Sequence, residues 1–175
     1  MSNAPASLPA EIFKAYDIRG IVGKSLTADV VRRIGQALGT LAAEKGQTAI
    51  AVGRDGRLSG PELAGALMDG ICAAGIDAID VGCVPTPVTY FAAYELGCNS
   101  CVSVTGSHNP PDYNGLKMVI GGETLALDAI QQLQLRREGA THVLHRREGG
   151  DDQGQRRDDL PGLIPVLPGG AHRQG

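Results

Sequence analysis

TAIAVGRDGRLSGPEL, residues 48–63, decides how this chain folds. The run 48–55 is short, apolar and β-branched, as a buried strand is, and it feeds a loop, Gly53-Arg54-Asp55-Gly56-Arg57. Ser59-Gly60-Pro61-Glu62 follows, with a serine cap, an early proline and a glutamate three residues after the cap, the pattern of a capping box. The helix it opens is expected to run to about Gly75, with Leu63, Leu67 and Ile71 on one face.

Working outward, the same rhythm repeats. Upstream, 26–46 reads as a helix capped by Thr27, with Val30, Val31, Ile34, Leu38 and Leu41 at helical spacing and Gly46 at its end. Downstream, AIDVGCV (78–84) is a strand, Pro85-Thr86-Pro87 breaks it, VTYFAAYEL makes a third helix stopped by Gly97, and SCVSV (100–104) is a further strand. Strand, loop and helix in alternation predict an α/β layered domain with parallel strands. The loops 53–59, 84–87 and 105–114 are expected to meet at the carboxyl edge of that sheet, where ligands bind in such folds. LKMVI, Gly121-Gly122 and ETLAL form a β-hairpin pattern, and another helix is expected to begin at Asp128 and reach about Leu135.

The chain has 175 residues, enough for one domain with a core and too few for two ordinary ones. Hydrophobic content of 42% with a net charge of −3 describes a soluble protein without the basic face of a nucleic-acid binder. Aromatic content of 3% and no tryptophan leave few platforms on which bases could stack. Neither a charged, apolar leader nor a membrane-length run is present, so a cytoplasmic location with no membrane partner is expected. Cys98-Asn-Ser-Cys101 has CxxC spacing, but two further soft ligands are not in evidence around Cys72 and Cys83. The cysteines are read as small apolar residues of a reduced core.

Two loops invite chemistry. RGIVGKSL (19–26) fails as a phosphate-binding P-loop, because only Ile21 and Val22 separate Gly20 from Gly23; both glycines are read as turn formers and Lys24 as a solvated charge. In SVTGSHNPPDYNGLKMV (103–119) a strand ends directly before a nucleophile, Ser107, with Gly106 admitting close backbone approach and Lys117 able to neutralise phosphate or move a proton. Gly106-Ser107-His108 lacks the flanking pattern of a hydrolase elbow. On these residues alone, a reactive loop and a wet Ser/Asn/Pro turn both stand.

Thr105-Gly106-Ser107-His108-Asn109-Pro110 closely resembles the phosphoserine loop of the α-D-phosphohexomutases, and the resemblance extends over PPDYNGLK (110–117). FKAYDIRG (13–20), VGRDGRLSGPEL (52–63) and DVGCVPTPV (80–88) continue it in the family's order and spacing. The match is closest to the bacterial phosphomannomutase/phosphoglucomutase branch, and it implies a first, serine-bearing domain over residues 8–134. That domain is expected to be a three-layer α/β/α unit with a small mixed, mostly parallel sheet, in which the segment around IRGIVG forms an antiparallel strand. The resemblance implies that Ser107 carries the catalytic phosphate, one oxygen of which helps hold Mg2+. It makes Arg19 and Lys117 acid/base and electrostatic groups beside the phosphoryl, sets Tyr16 near the sugar, and gives His108 and Asn109 to the serine loop and the substrate. The implied partners are mannose or glucose 1- and 6-phosphates and the 1,6-bisphosphate, whose phosphates are exchanged through phosphoserine.

Family members have four domains. The aspartate-rich magnesium loop, the sugar-specificity loop and the distal phosphate-binding domain have no counterpart here, so the chain is expected to be incomplete and inactive by itself, with the remaining domains as partners if they are encoded separately. Residues 135–175 change character: arginine pairs recur, glycine and proline multiply, and lysine and periodicity vanish. This irregular tail is the composition of a GC-rich gene read out of frame, and a frameshifted tail on a truncated gene is expected; a natural linker on a one-domain protein is the alternative. Two function classes follow: the phosphoserine half-site of a phosphohexomutase, or a noncatalytic fragment or phosphosugar-binding module.

Overall fold

Ile50 and Val52 are buried in one apolar cluster and Ala51 in another, so the strand that carries them has a core on each face. That period of two is what a central strand covered on both sides must show. The computed structural model describes residues 8–126. A single 3-10 turn, Ala10–Ile12, leads into β1 (Ile18–Ile21), α1 (Ala28–Glu44), β2 (Ala49–Arg54), α2 (Gly60–Ala73), β3 (Asp77–Cys83), α3 (Thr86–Glu95), β4 (Cys101–Val104), β5 (Tyr113–Ile120) and β6 (Glu123–Thr124).

The sheet runs β1-β5-β4-β2-β3, with β6 beside β5. β3 and β4 flank β2 in parallel, while β5 turns antiparallel to β4 and carries β1 and β6 antiparallel to itself. α1 and α2 bury Val31, Ile34, Leu38, Leu63, Leu67 and Ile71 on the face that also takes Val102, Leu116 and Met118. α3 covers the other face over β2 and β4, with Ala93 against Ala51, Cys98 and Cys101. The result is the expected three-layer α/β/α arrangement on a mixed sheet.

Local signals explain most boundaries. Thr27 Oγ1 accepts from the Val30 N–H at 3.3 Å and starts α1; past its end, Gly46 adopts φ +70°. Lys45, the last cap residue of α1, pairs with Glu123 of the hairpin, and this contact holds the Glu123 carboxyl below its usual range. α1 and α2 meet almost backbone to backbone. A methyl on Gly35 would overlap the Leu67 carbonyl, and one on Gly70 would overlap the Arg32 carbonyl.

Three readings change. Gly20, read from the residues as a turn former, lies inside β1, where it pairs with Asn114; the antiparallel strand implied by the resemblance is present. The capping box does not form: Ser59 has helical backbone angles and makes no side-chain cap bond, and its Oγ instead accepts from Asn114 Nδ2 at 2.9 Å. α3 begins at Thr86, so the Pro85-Thr86-Pro87 break is itself the start of the helix, as prolines in a first turn allow. The helix expected from Asp128, the limit at residue 134 and the irregular tail 135–175 lie outside the described residues. None of the described helices is long and apolar enough to cross a membrane.

Candidate active site

The carboxyl ends of β2 and β4 lie side by side, and the chain leaves both into loops that are cross-linked to each other. The Asp55 N–H donates to the Val104 carbonyl at 3.0 Å, and the Val84 N–H donates to the Arg54 carbonyl at 2.9 Å, so the three expected loops do gather at one edge. Asp55 then anchors the serine loop. Its Oδ2 accepts from Thr105 Oγ1 at 2.9 Å and from the Gly106 N–H at 3.0 Å, and its Oδ1 accepts from the Arg57 N–H at 3.0 Å.

Arg57 completes the junction. Its guanidinium donates to the carbonyls of Ser107 (3.2 Å), Asn109 (2.6 Å), Pro110 (2.6 Å) and Tyr113 (2.9 Å), and its Nε lies 3.6 Å from Asp55 Oδ2. A planar fork with five donors can serve several acceptors at once in a way that an ammonium cannot. Gly106 is buried against this group, and a methyl there would overlap the guanidinium. Ser107 leaves the clamp at φ +50°, exposed, in a region that non-glycine residues enter at a cost of about 1–3 kcal/mol. Its N–H donates to Thr105 Oγ1 at 3.0 Å, and its Oγ lies 3.4 Å from His108 Nδ1.

Register places the cations. Ile18 and Leu116 are paired and belong to the α1/α2 core, so the next pair, Arg19 with Gly115, faces the opposite side of the sheet. Lys117, two residues along β5, shares that side and stands opposite Ser103, whose Oγ lies 3.0 Å from Thr86 Oγ1 of α3. Arg19 is fixed by Asp17 Oδ2 at 2.7 Å and reaches Asn109 Oδ1 at 3.3 Å. Asn109 Nδ2 in turn donates to the Gly106 carbonyl at 2.9 Å, so this side chain ties Arg19 to the serine loop.

Of the residues singled out in the sequence, Ser107, His108, Asn109 and Arg19 are joined in one constellation. Among the described residues no hydrogen bond joins Lys117 or Tyr16 to the serine loop; Lys117 shares the sheet face of Arg19, and Tyr16 is 71% exposed. Asp55 and Arg57 were missed as site residues. Their signal was two opposite charges set between glycines at a strand's carboxyl end.

The donors do not by themselves fit a magnesium site. Octahedral Mg2+ takes several oxygens, yet Asp55 is consumed by Thr105, Gly106 and Arg57, and no group of three metal-ligating side chains occurs among the described residues. The CxxC cysteines are free thiols, and burial, with Cys98 close by, pushes the Cys101 thiol up to about 12. The thiolate is the nucleophilic form of a cysteine, and burial disfavours it at Cys101.

Comparisons with known proteins agree with this architecture. Residues 10–138 match the family model described as phosphoglucomutase/phosphomannomutase, alpha/beta/alpha domain I. A phosphomannomutase/phosphoglucomutase of Pseudomonas aeruginosa is 56% identical over 139 residues, 79% of this chain and 30% of that protein. A phosphoglucomutase of Neisseria meningitidis is 59% identical over 128 residues, 73% of this chain and 28% of that protein. A crystal structure of a phosphoglucomutase/phosphomannomutase family protein from Burkholderia thailandensis superposes with a TM-score of 0.70 at 57% identity, covering 74% of this chain and 30% of that one. The chain thus spans about 30% of the length of the relatives it matches. With the serine loop, the mixed sheet and the family match in agreement, the chain belongs to the phosphoglucomutase/phosphomannomutase family, of which it carries the α/β/α domain I.

Proposed function

We propose that this domain is the phosphoserine half of a hexose phosphomutase, exchanging the 1- and 6-phosphates of glucose or mannose with Ser107 as the phosphoryl carrier. One observation carries the reading: an exposed serine hydroxyl stands at the carboxyl edge of the sheet in a left-handed backbone, on a loop that also holds a fixed guanidinium, Arg19, through Asn109. The names of the relatives supply the substrate class.

In the proposed step Ser107 Oγ attacks the phosphorus of a sugar bisphosphate. The bond from phosphorus to the sugar oxygen breaks, that oxygen takes a proton, and the serine proton leaves, giving phosphoserine and a hexose monophosphate. The bisphosphate itself forms in the preceding half-reaction, when phosphoserine gives its phosphoryl to the free hydroxyl of a hexose monophosphate and that hydroxyl loses its proton; the bisphosphate then turns over, so that the phosphoryl returned to Ser107 is the one from the other position. Phosphoryl transfer depends mainly on positioning and on positive charge around the equatorial oxygens. Arg19 supplies a charge held in place by Asp17, Lys117 supplies a second on the same sheet face, and His108 Nδ1 is within reach of the serine proton. Tyr16, exposed beside Asp17, is assigned to the sugar. Magnesium, when bound to phosphoserine, would neutralise phosphate charge, and its remaining ligands would come from outside the described residues, as would the rest of the mutase site. We place the reaction in the cytoplasm, since four free cysteines suit a reducing compartment.

The test is incubation of the full chain with glucose 1,6-bisphosphate, followed by mass spectrometry of the peptide containing Ser107. Phosphate on Ser107 in the wild type and none in Ser107→Ala is the expected result. An unlabelled serine, both alone and with the other domains of a full-length relative added, overturns the reading in favour of a noncatalytic phosphosugar-binding module.

A further inference from the structure

Arg57 makes no ion pair with a substrate-facing group; it spends its donors on backbone. Four carbonyl oxygens, spread over residues 107–113, converge on one guanidinium, and the carboxylate beside it, Asp55, takes the Thr105 hydroxyl and the Gly106 amide from the same loop. Each carbonyl aimed at Arg57 is a dipole whose negative end is withdrawn from the dianion that Ser107 would carry. Each bond also removes freedom from a loop whose central serine sits at φ +50°. Left-handed backbone persists at a non-glycine residue only where the surroundings over-determine it. Here two segments far apart in sequence do so, and Gly106 gives up its side chain to make room.

We infer that Arg57, seated by Asp55, is the positioning residue of the serine loop: it holds Ser107 Oγ in its transfer-ready place without touching substrate. The inference rests on the reading of Ser107 as phosphoryl carrier. Arg57 also lines a cavity of about 660 Å3, together with Val22, Leu58, Ser59 and Asp112, so the space it occupies is open to a small solute.

The experiment compares the wild type, Arg57→Ala and Arg57→Lys by two measurements: the rate of Ser107 labelling from glucose 1,6-bisphosphate, and amide hydrogen exchange resolved at Gly106 and Asn109. Displacement of a reacting atom by about 1 Å lowers rates by about 10²-fold, and a loss of that order is expected in both variants, because an ammonium cannot reach four carbonyls. Guanidinium ion added to Arg57→Ala is expected to restore part of the rate, and methylammonium to restore none. Exchange at the two amides is expected to rise while that of β2 and α1 stays slow. Labelling of both variants at the wild-type rate, or rescue by both cations alike, overturns the inference. Should the wild type itself remain unlabelled, the phosphoserine reading fails and exchange decides the clamp separately: faster exchange at Gly106 in Arg57→Lys supports it, and unchanged exchange overturns it. Arg57→Lys also serves if Arg57→Ala does not fold.

Discussion

Lys117 is an ammonium placed mid-strand on β5, with no hydrogen bond or ion pair among the described residues, whereas Arg19 on the same sheet face is held by Asp17. A charge without a partner is the one most available to a phosphoryl group. Lys117→Met is therefore expected to slow Ser107 labelling by about 10²–10³-fold, the usual loss for one electrostatic donor, with an unchanged thermal melt. Labelling within a few-fold of the wild type would remove Lys117 from the site. Ser107, Arg19 and Lys117 were singled out in the sequence as candidates because long motifs in register carry them. Asp55 and Arg57 were not, since neither a strand period nor a spacing rule says that a loop after one strand will clamp the loop after another. Asn109 was legible as part of the serine loop, but its bridge from Arg19 to Gly106 exists only in three dimensions.

At the scale of elements, periodicity carried the helices and the central strands. All five apolar positions read in the first helix are buried, as are Leu63, Leu67 and Ile71 in the second. Periodicity says nothing of how closely two helices approach. Gly35 and Gly70 let α1 and α2 come together with main chain against main chain, a contact invisible to a pattern of hydrophobic positions. Gly70→Ala is expected to destabilise the fold by about 1–3 kcal/mol through overpacking, against the ~1 kcal/mol that helix propensity alone would add in its favour. A lower midpoint in urea denaturation checks this; a raised midpoint would show that the helices can part without loss. The capping box at Ser59 failed for a related reason: Asn114, fully buried on β5, reaches the hydroxyl and outcompetes the local cap. Tertiary hydrogen bonds of this kind override a four-residue signature.

Across the whole molecule, the outer face of α3 stands out. Its inner face is closed by Thr89 and Ala93, but Val88, Phe91, Tyr94 and the neighbouring Leu96 are exposed, Phe91 at 61% and Tyr94 at 74%. A helix that is apolar all round belongs between two partners, and so concentrated an exposed patch promotes association. The chain is expected to self-associate with rising concentration in sedimentation velocity, and Phe91→Glu/Tyr94→Glu to shift it towards monomer; a wild type that stays monomeric throughout would count against the patch. The order of the sheet has a consequence of another kind. β1 lies at one edge and its ladder partner is β5, with Ile18 opposite Leu116. During synthesis the segment bearing Arg19 therefore emerges early and waits without a strand to join until nearly the whole domain has left the ribosome. Pairing that is so distant in sequence is slow, and the strand that ends the wait is the one that bears Lys117 and closes the loop of Ser107. The nascent chain is thus expected to bring Arg19 onto one sheet face with Lys117, beside the loop of Ser107, only once β5 has been made.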